Sequence, residues 1–317
     1  MNLPERVTLC EVGPRDGFQF EETLIPTDLK VEAITALADA GLPIIQATSF
    51  VHPQWVPQMA DAEDVCRHLP ARDDTRYTGL ALNTKGVERA HAAGLGYVDL
   101  SIATNDRHSL DNANMTVAEA IEQAVEMVRL ANGYRMQAQM GFQTVFGYAA
   151  PGDTPLDTVL DMARRFVDLG IESLSLADST GMANPAMIEE RVQAVRAVTG
   201  DVPLVLHLHD TRGLGLANVV AALGCGVTRF DTSLAGMGGC PFIPGATGNI
   251  STEDTVYLLD SLGVETGIDL DAVAAVSQRV EDFLGKRFSG KMHRLARVNV
   301  QGSGFRVQSF SRTNPEP

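Results

Sequence analysis

Eight short runs rich in β-branched and apolar residues alternate with amphipathic helical stretches along this chain, and that alternation leaves few folds open. The strand candidates are residues 7–12, 44–50, 77–82, 98–103, 136–142, 173–177, 204–209 and 229–234. Helical spacing is clearest at 27–40, 117–131, 156–169, 186–198 and 216–223; residues 252–261 close the series, and 271–284 read as an additional helix. Asn184-Pro185 supplies a cap with proline in the first turn, while Gly41, Gly170 and Gly200 stand where helices should stop. Each helix returns the chain to the same sheet end, so the strands must run parallel. Eight such units in about 260 residues match a closed (β/α)8 barrel. A doubly wound open sheet is the alternative, but it would leave the seventh strand far from the first. The sequence therefore predicts an α/β protein: one (β/α)8 catalytic domain over residues 1–291, an additional C-terminal helix, and a tail at 292–317. Residues 286–317 lack a clear period and read as an exposed or partner-binding extension.

Within this frame the seventh strand carries the most chemistry. In Pro203-Leu-Val-Leu-His-Leu-His-Asp210 the two imidazoles are two residues apart, so both leave one face of a strand at its carboxyl end. Two converging neutral imidazoles suit a divalent cation, with a carboxylate or amide to complete its shell. Two hydrogen-bonded histidines capping a buried strand are the structural alternative.

In a barrel, the turns that follow the strands share one rim, and that rim carries the chemistry. The first strand ends in Glu11-Val-Gly-Pro-Arg15-Asp16-Gly17, where Asp16 can ligate a metal and Arg15 can stabilise an oxyanion. A turn with a solvated ion pair is the plainer reading. The second strand ends in Gln46-Ala-Thr-Ser-Phe50. The sixth ends at Asp178, a rim carboxylate or a turn cap. After the eighth comes a long glycine-rich loop holding the thiol of Cys240 and then Asn249, a metal ligand or a turn asparagine. Lys85 and Asn83 are further rim groups.

The chain of 317 residues has a net charge of −15, which opposes general affinity for nucleic acid or an anionic membrane. No apolar run is long enough to span a bilayer, and residues 1–6 lack a signal-peptide core. The four cysteines have no CxxC spacing, so neither a disulfide scaffold nor a structural zinc site is expected, and a cytoplasmic setting fits best.

Together, EVGPRDG after the first strand, SFVHPQWVPQMAD after the second, HLHDTRGLGLAN at the seventh and AGMGGCPFIPGATGNISTED after the eighth resemble the 3-hydroxy-3-methylglutaryl-CoA lyase family. That family belongs to the metal-dependent TIM-barrel lyases and condensing enzymes, and the likeness runs from about Val7 to Lys291. It implies that Asp16, His207, His209 and Asn249 bind Mg²⁺ or Mn²⁺. It also implies that Arg15 stabilises an enolate, that Cys240 assists proton transfer from a flexible loop, and that Asp178 is an active-site aspartate. The implied reaction is a retro-Claisen cleavage of a branched 3-hydroxyacyl-CoA to acetyl-CoA and a keto acid, acetoacetate for 3-hydroxy-3-methylglutaryl-CoA. The implied assembly is a homodimer.

The sequence departs from the family at three places. Gln46 stands where the family carries a glutamate; an amide keeps the size but cannot hold negative charge. An expected arginine is absent near Gln139, and if those two family groups face one another, a charged pair has been lost together. Phe20 replaces a commonly polar residue. These changes point to an altered acyl pocket, for a citramalyl-CoA or a longer-chain 3-hydroxyglutaryl-CoA, or to a weakened proton relay. A condensing enzyme acting on an α-keto acid and a non-catalytic acyl-CoA-binding barrel are the other readings.

Overall fold

All eight expected strands form, and hydrogen-bonded neighbours follow chain order around a closed parallel barrel. The computed structural model describes residues 3–239 and 247–295. The strands are β1 Thr8–Glu11, β2 Ile44–Ser49, β3 Arg76–Ala81, β4 Tyr97–Ala103, β5 Gln137–Gln143, β6 Ser173–Asp178, β7 Leu204–Leu208 and β8 Arg229–Thr232. The ring closes because β1 pairs with β8 as well as with β2, over the register Thr8↔Arg229 to Glu11↔Thr232. The helices are α1 Thr27–Asp39, α2 Ala62–His68, α3 Thr84–Ala92, α4 Asp106–Ala113, α5 Val117–Gly133, α6 Leu156–Asp168, α7 Pro185–Thr199, α8 Gly215–Gly224, α9 Thr252–Ser261 and α10 Leu270–Leu284.

Strand periodicity divides the core into two parts. On β5, Ala138, Met140 and Phe142 face the helices and are almost fully buried, while Gln139, Gly141 and Gln143 line the interior cavity. The lower end of the barrel is closed by Glu172, paired with Arg76 at 3.3 Å and Arg229 at 3.0 Å. The upper end stays open.

Local chemistry explains the helix boundaries. Thr116 and Glu119 form a capping box at the start of α5, and the Asn184 side chain accepts from Met187 N to start α7. Asn83 plays the same part for α3, accepting from Gly86 N, so it is a helix cap. No helix among the described residues is long and apolar enough to cross a membrane.

The stretch after α10 corrects the expectation of an exposed extension. Gly290 N donates to Ala235 O at 2.8 Å, and the Ser289 hydroxyl donates to Gly236 O at 3.1 Å. Asp254 accepts from Lys291 N and Met292 N, and His293 is fully buried against Glu281 at 3.1 Å. Residues 289–293 therefore brace the start of the loop that leaves β8, at the carbonyls of Ala235 and Gly236. The tail from 296 onward lies outside the described residues.

Candidate active site

The turn after β1 is a short π-helical coil, Gly13–Gly17. The Glu11 carboxylate, fully buried, accepts from Gly13 N at 2.7 Å, Leu234 N at 2.9 Å and the Thr252 hydroxyl at 2.6 Å. That fastening ties the turn to the end of β8 and fixes where Arg15 and Asp16 emerge. Arg15 Nη1 donates to Asp16 Oδ1, and Arg15 Nε donates to Gln46 Oε1. Its Nη2 has no hydrogen-bond partner among the described residues.

His207 lies within β7, its neighbours Leu206 and Leu208 turned into the helix layer and fully buried. His209 falls just beyond the strand, in an isolated bridge to Asn249. That bridge has a backbone cause: Asp210 N donates to Gly248 O at 2.9 Å and Ile250 N to Leu208 O at 3.0 Å. The segment around Asn249 is thus laid against the end of β7 and brings the amide to the imidazoles.

Asp16, His207 and His209 each offer a ligand atom, all within 4.8 Å of one another. Asn249 Nδ2 donates to Asp16 Oδ2 at 2.7 Å and to Met237 O at 3.1 Å. Its Oδ1 is buried without a partner. An orphaned buried amide oxygen beside two imidazole nitrogens only 3.2 Å apart and a carboxylate is a mixed O/N donor set that fits Mg²⁺ or Mn²⁺. Gly238 makes room for this cluster. Its φ is +120°, and a Cβ there would lie 2.5 Å from Asn249 Nδ2.

Electrostatics agree with ligand duty. Burial alone would raise the Asp16 carboxyl, but Arg15, His207 and the Asn249 amide outweigh it and hold it below its ordinary value. Burial, helped by His207, lowers His209 to about 3, so its imidazole is neutral at pH 7. For His207, burial is outweighed by the hydrogen bond to Asp231 and the charge of Asp16, and its value is raised. Asp231 Oδ2 lies 3.2 Å from His207 Nδ1, so a proton there leaves Nε2 free as a donor atom.

These groups open onto a cavity of about 330 Å³. Phe20, Val51, Val56, Leu80 and Leu82 make an apolar side, while Ser101, Gln139, Gln143 and Ser175 make a polar, uncharged one. Lys85 is not among the residues that line it.

Asp178 and Gln46 are each held by specific hydrogen bonds. Asp178 is buried, and its carboxylate accepts from Met182 N at 2.8 Å and Ala183 N at 3.1 Å. Its neighbours Ala177 and Ser179 line the cavity, and Asp178 closes the turn after β6, the capping alternative named above. Gln46 and Gln139 make no hydrogen bond to each other among the described residues. Gln46 Nε2 donates to Asp99 on β4, whereas Gln139 Oε1 accepts from the Ser173 hydroxyl at 3.0 Å. Cys240 lies outside the described residues. Asp99 and Asp231, which the sequence reading missed, both sit inside strands and not at their ends.

Comparison with known proteins bears on the whole domain. The HMGL-like family model matches residues 6–280. A hydroxymethylglutaryl-CoA lyase from Pseudomonas mevalonii is 40% identical over 284 residues, covering 89% of this chain and 93% of that protein. A hydroxymethylglutaryl-CoA lyase from Bacillus subtilis is 36% identical over 286 residues, covering 90% and 96%. The solved structure of an HMG-CoA lyase from Acinetobacter baumannii in complex with coenzyme A and 3-methylmalate superposes with a TM-score of 0.87 at 36% identity, covering 99% of this chain and 98% of that one. With the match spanning nearly the whole barrel, from the Arg15-Asp16 turn through the paired histidines to Asn249, the chain belongs to the HMGL-like family.

Proposed function

We propose that this chain is a divalent-metal-dependent carbon–carbon lyase that cleaves 3-hydroxy-3-methylglutaryl-CoA, or a close branched 3-hydroxyacyl-CoA, to acetyl-CoA and a keto acid. One observation carries the reading: Asp16, His207, His209 and Asn249, from three distant stretches, meet beside Arg15 on the open rim of the barrel. Those four residues would hold Mg²⁺ or Mn²⁺, which when bound supplies a Lewis acid that acidifies the substrate hydroxyl.

The reaction removes the C3 hydroxyl proton, turns C3–O into a carbonyl, and sends the C2–C3 electron pair into the thioester as an enolate. Arg15 is the group suited to that enolate. Its Nε and Nη1 are occupied by Gln46 and Asp16, and Nη2 remains for an anionic oxygen. A proton then returns to C2, a role assigned to Cys240 on the loop after β8. Asp178 and Gln46 act by position, the first by shaping the β6 turn and the second by holding Arg15.

A second reading within the family, altered acyl specificity, draws on the apolar side of the cavity, where Phe20, Val51 and Val56 would favour a bulkier substituent. The third, a non-catalytic acyl-CoA-binding barrel, is disfavoured because a binding shell alone gives no reason for two imidazoles and a carboxylate to converge beside an amide whose oxygen is buried without a partner. The free thiols of Cys10, Cys66 and Cys225 suit a reducing cytoplasm, and a homodimer is the assembly we propose.

The test is a coupled assay for released acetyl-CoA across branched 3-hydroxyacyl-CoA thioesters, with EDTA-treated and Mg²⁺- or Mn²⁺-reconstituted protein. Cleavage that disappears on chelation and returns with the ion is expected. Undiminished turnover in metal-free protein would sink the proposal, and cleavage confined to a bulkier thioester would select the second reading.

A further inference from the structure

We propose that Asp99 is a positioning residue of this active site, whose carboxylate acts through the Gln46 amide to hold the Arg15 guanidinium over the cavity. The inference deepens the proposed lyase reading and rests on it. Gln46 on β2 pairs in register with Thr78 on β3, Asp99 on β4 pairs with Leu80 two residues further along β3, and the three side chains line the barrel interior. The Thr78 hydroxyl donates to Asp99 Oδ2 at 2.6 Å, and Gln46 Nε2 donates to the same oxygen. The other end of that amide, Oε1, accepts from Arg15 Nε. The result is a continuous chain from Thr78 through Asp99, Gln46 and Arg15 to Asp16.

The polarity of the chain follows from elementary chemistry. An amide turned the other way would set its NH₂ against the Arg15 N–H and its oxygen against a carboxylate, two like-on-like contacts. Asp99 therefore decides which end of Gln46 Arg15 meets. A neutral amide cannot by itself balance the guanidinium, but one polarised by a carboxylate makes a stronger, charge-assisted bond. Without it, Arg15 would lean on Asp16 alone, a residue needed elsewhere.

Asp99 is only 7% exposed, and no cation touches it among the described residues. A buried carboxylate without a direct counter-charge is costly, which makes a role through the amide the economical account of its presence. Burial raises its carboxyl to about 6 while the hydrogen bonds from Thr78 and Gln46 pull the other way, so the group is ionised at neutral pH.

The experiment exchanges the carboxylate between strands: D99N, Q46E and the double variant D99N/Q46E. D99N should lower kcat at least about tenfold with KM nearly unchanged, the size of effect seen when a supporting hydrogen-bond partner is removed. Q46E alone should also slow the enzyme, because two carboxylates then share one hydrogen bond. The double variant, with the charge moved beside Arg15, should recover most of the lost turnover.

A readout independent of turnover is the ¹⁵Nε–H resonance of Arg15, recorded without substrate: it should move in D99N and return toward its original position in the double variant. Wild-type kcat together with an unmoved resonance in D99N overturns the proposal. So does a folded double variant no faster than the slower single. If D99N does not fold, the double variant decides: turnover near wild type supports the assignment, and turnover as low as Q46E overturns it. If the unmodified protein cleaves no acyl-CoA, the lyase reading falls, and the Arg15 resonance alone judges Asp99.

Discussion

Replacing Asp231 by asparagine should weaken metal binding without removing any ligand. The carboxylate lies 3.2 Å from His207 Nδ1 and is buried, so its charge is poorly screened by water. By accepting a hydrogen bond from Nδ1–H it keeps the Nε2 lone pair free and facing His209 Nε2, 3.2 Å away. An asparagine can instead turn its NH₂ toward Nδ1, which selects the tautomer with a proton on Nε2 and blocks that position. Supporting partners of metal-ligating histidines are typically worth 10–100-fold in affinity, or about 1.4–2.7 kcal/mol. The assay is a Mn²⁺ titration followed by the free-ion electron paramagnetic resonance signal, with His207→Ala as the reference for a lost ligand. Asp231→Asn should fall between wild type and that reference. A dissociation constant within about twofold of wild type, alongside a large loss in His207→Ala, would refute the tautomer argument.

Two further outcomes are expected. Cys240→Ser should slow turnover by roughly 10²-fold or more, the range for a lost proton donor, while the Mn²⁺ affinity stays that of wild type; unchanged kinetics would remove the thiol from the reaction. Asp178 gives a pH signature: burial raises its carboxyl from 3.8 to about 6, so the folded state binds that proton more tightly than the unfolded chain. This contribution to stability is present in full below the unfolded value and is lost as pH rises through 6, by roughly 3 kcal/mol for a two-unit shift. Denaturant unfolding should therefore show wild type losing stability relative to Asp178→Asn between pH 4 and 7, and parallel curves would contradict it.

The strand–helix alternation made the barrel readable, because eight apolar runs with capped helices between them admit few other arrangements. The candidate metal site was readable for a related reason: Asp16 follows β1, His207 and His209 lie at the end of β7 and Asn249 in the connection after β8, and a barrel collects those connections at one rim. The helices α2, α3 and α4 escaped notice because they are short and expose polar faces; α4 buries only His108 and Ser109. Asp99 and Asp231 escaped for another reason. Each sits inside a strand, beside Val98 and Leu100 or Phe230, and the available signal was a lone carboxylate between strand-forming residues. Even that signal does not name a partner. Gln46 meets Asp99 across an intervening strand, a contact that sequence spacing alone does not specify.

The brace formed by residues 289–293 sets a schedule for a chain leaving the ribosome. Asp16 emerges first, the histidine pair only with β7, and Asn249 later still. β1 cannot complete its pairing until β8 arrives, and the loop beyond β8 gains its last backbone contacts only from a segment made after α10. A nascent polypeptide therefore carries the Asp16 carboxylate through the synthesis of β2 to β8 without the groups that meet it in the folded barrel, and the proposed metal site can assemble only after Asn249 has been made.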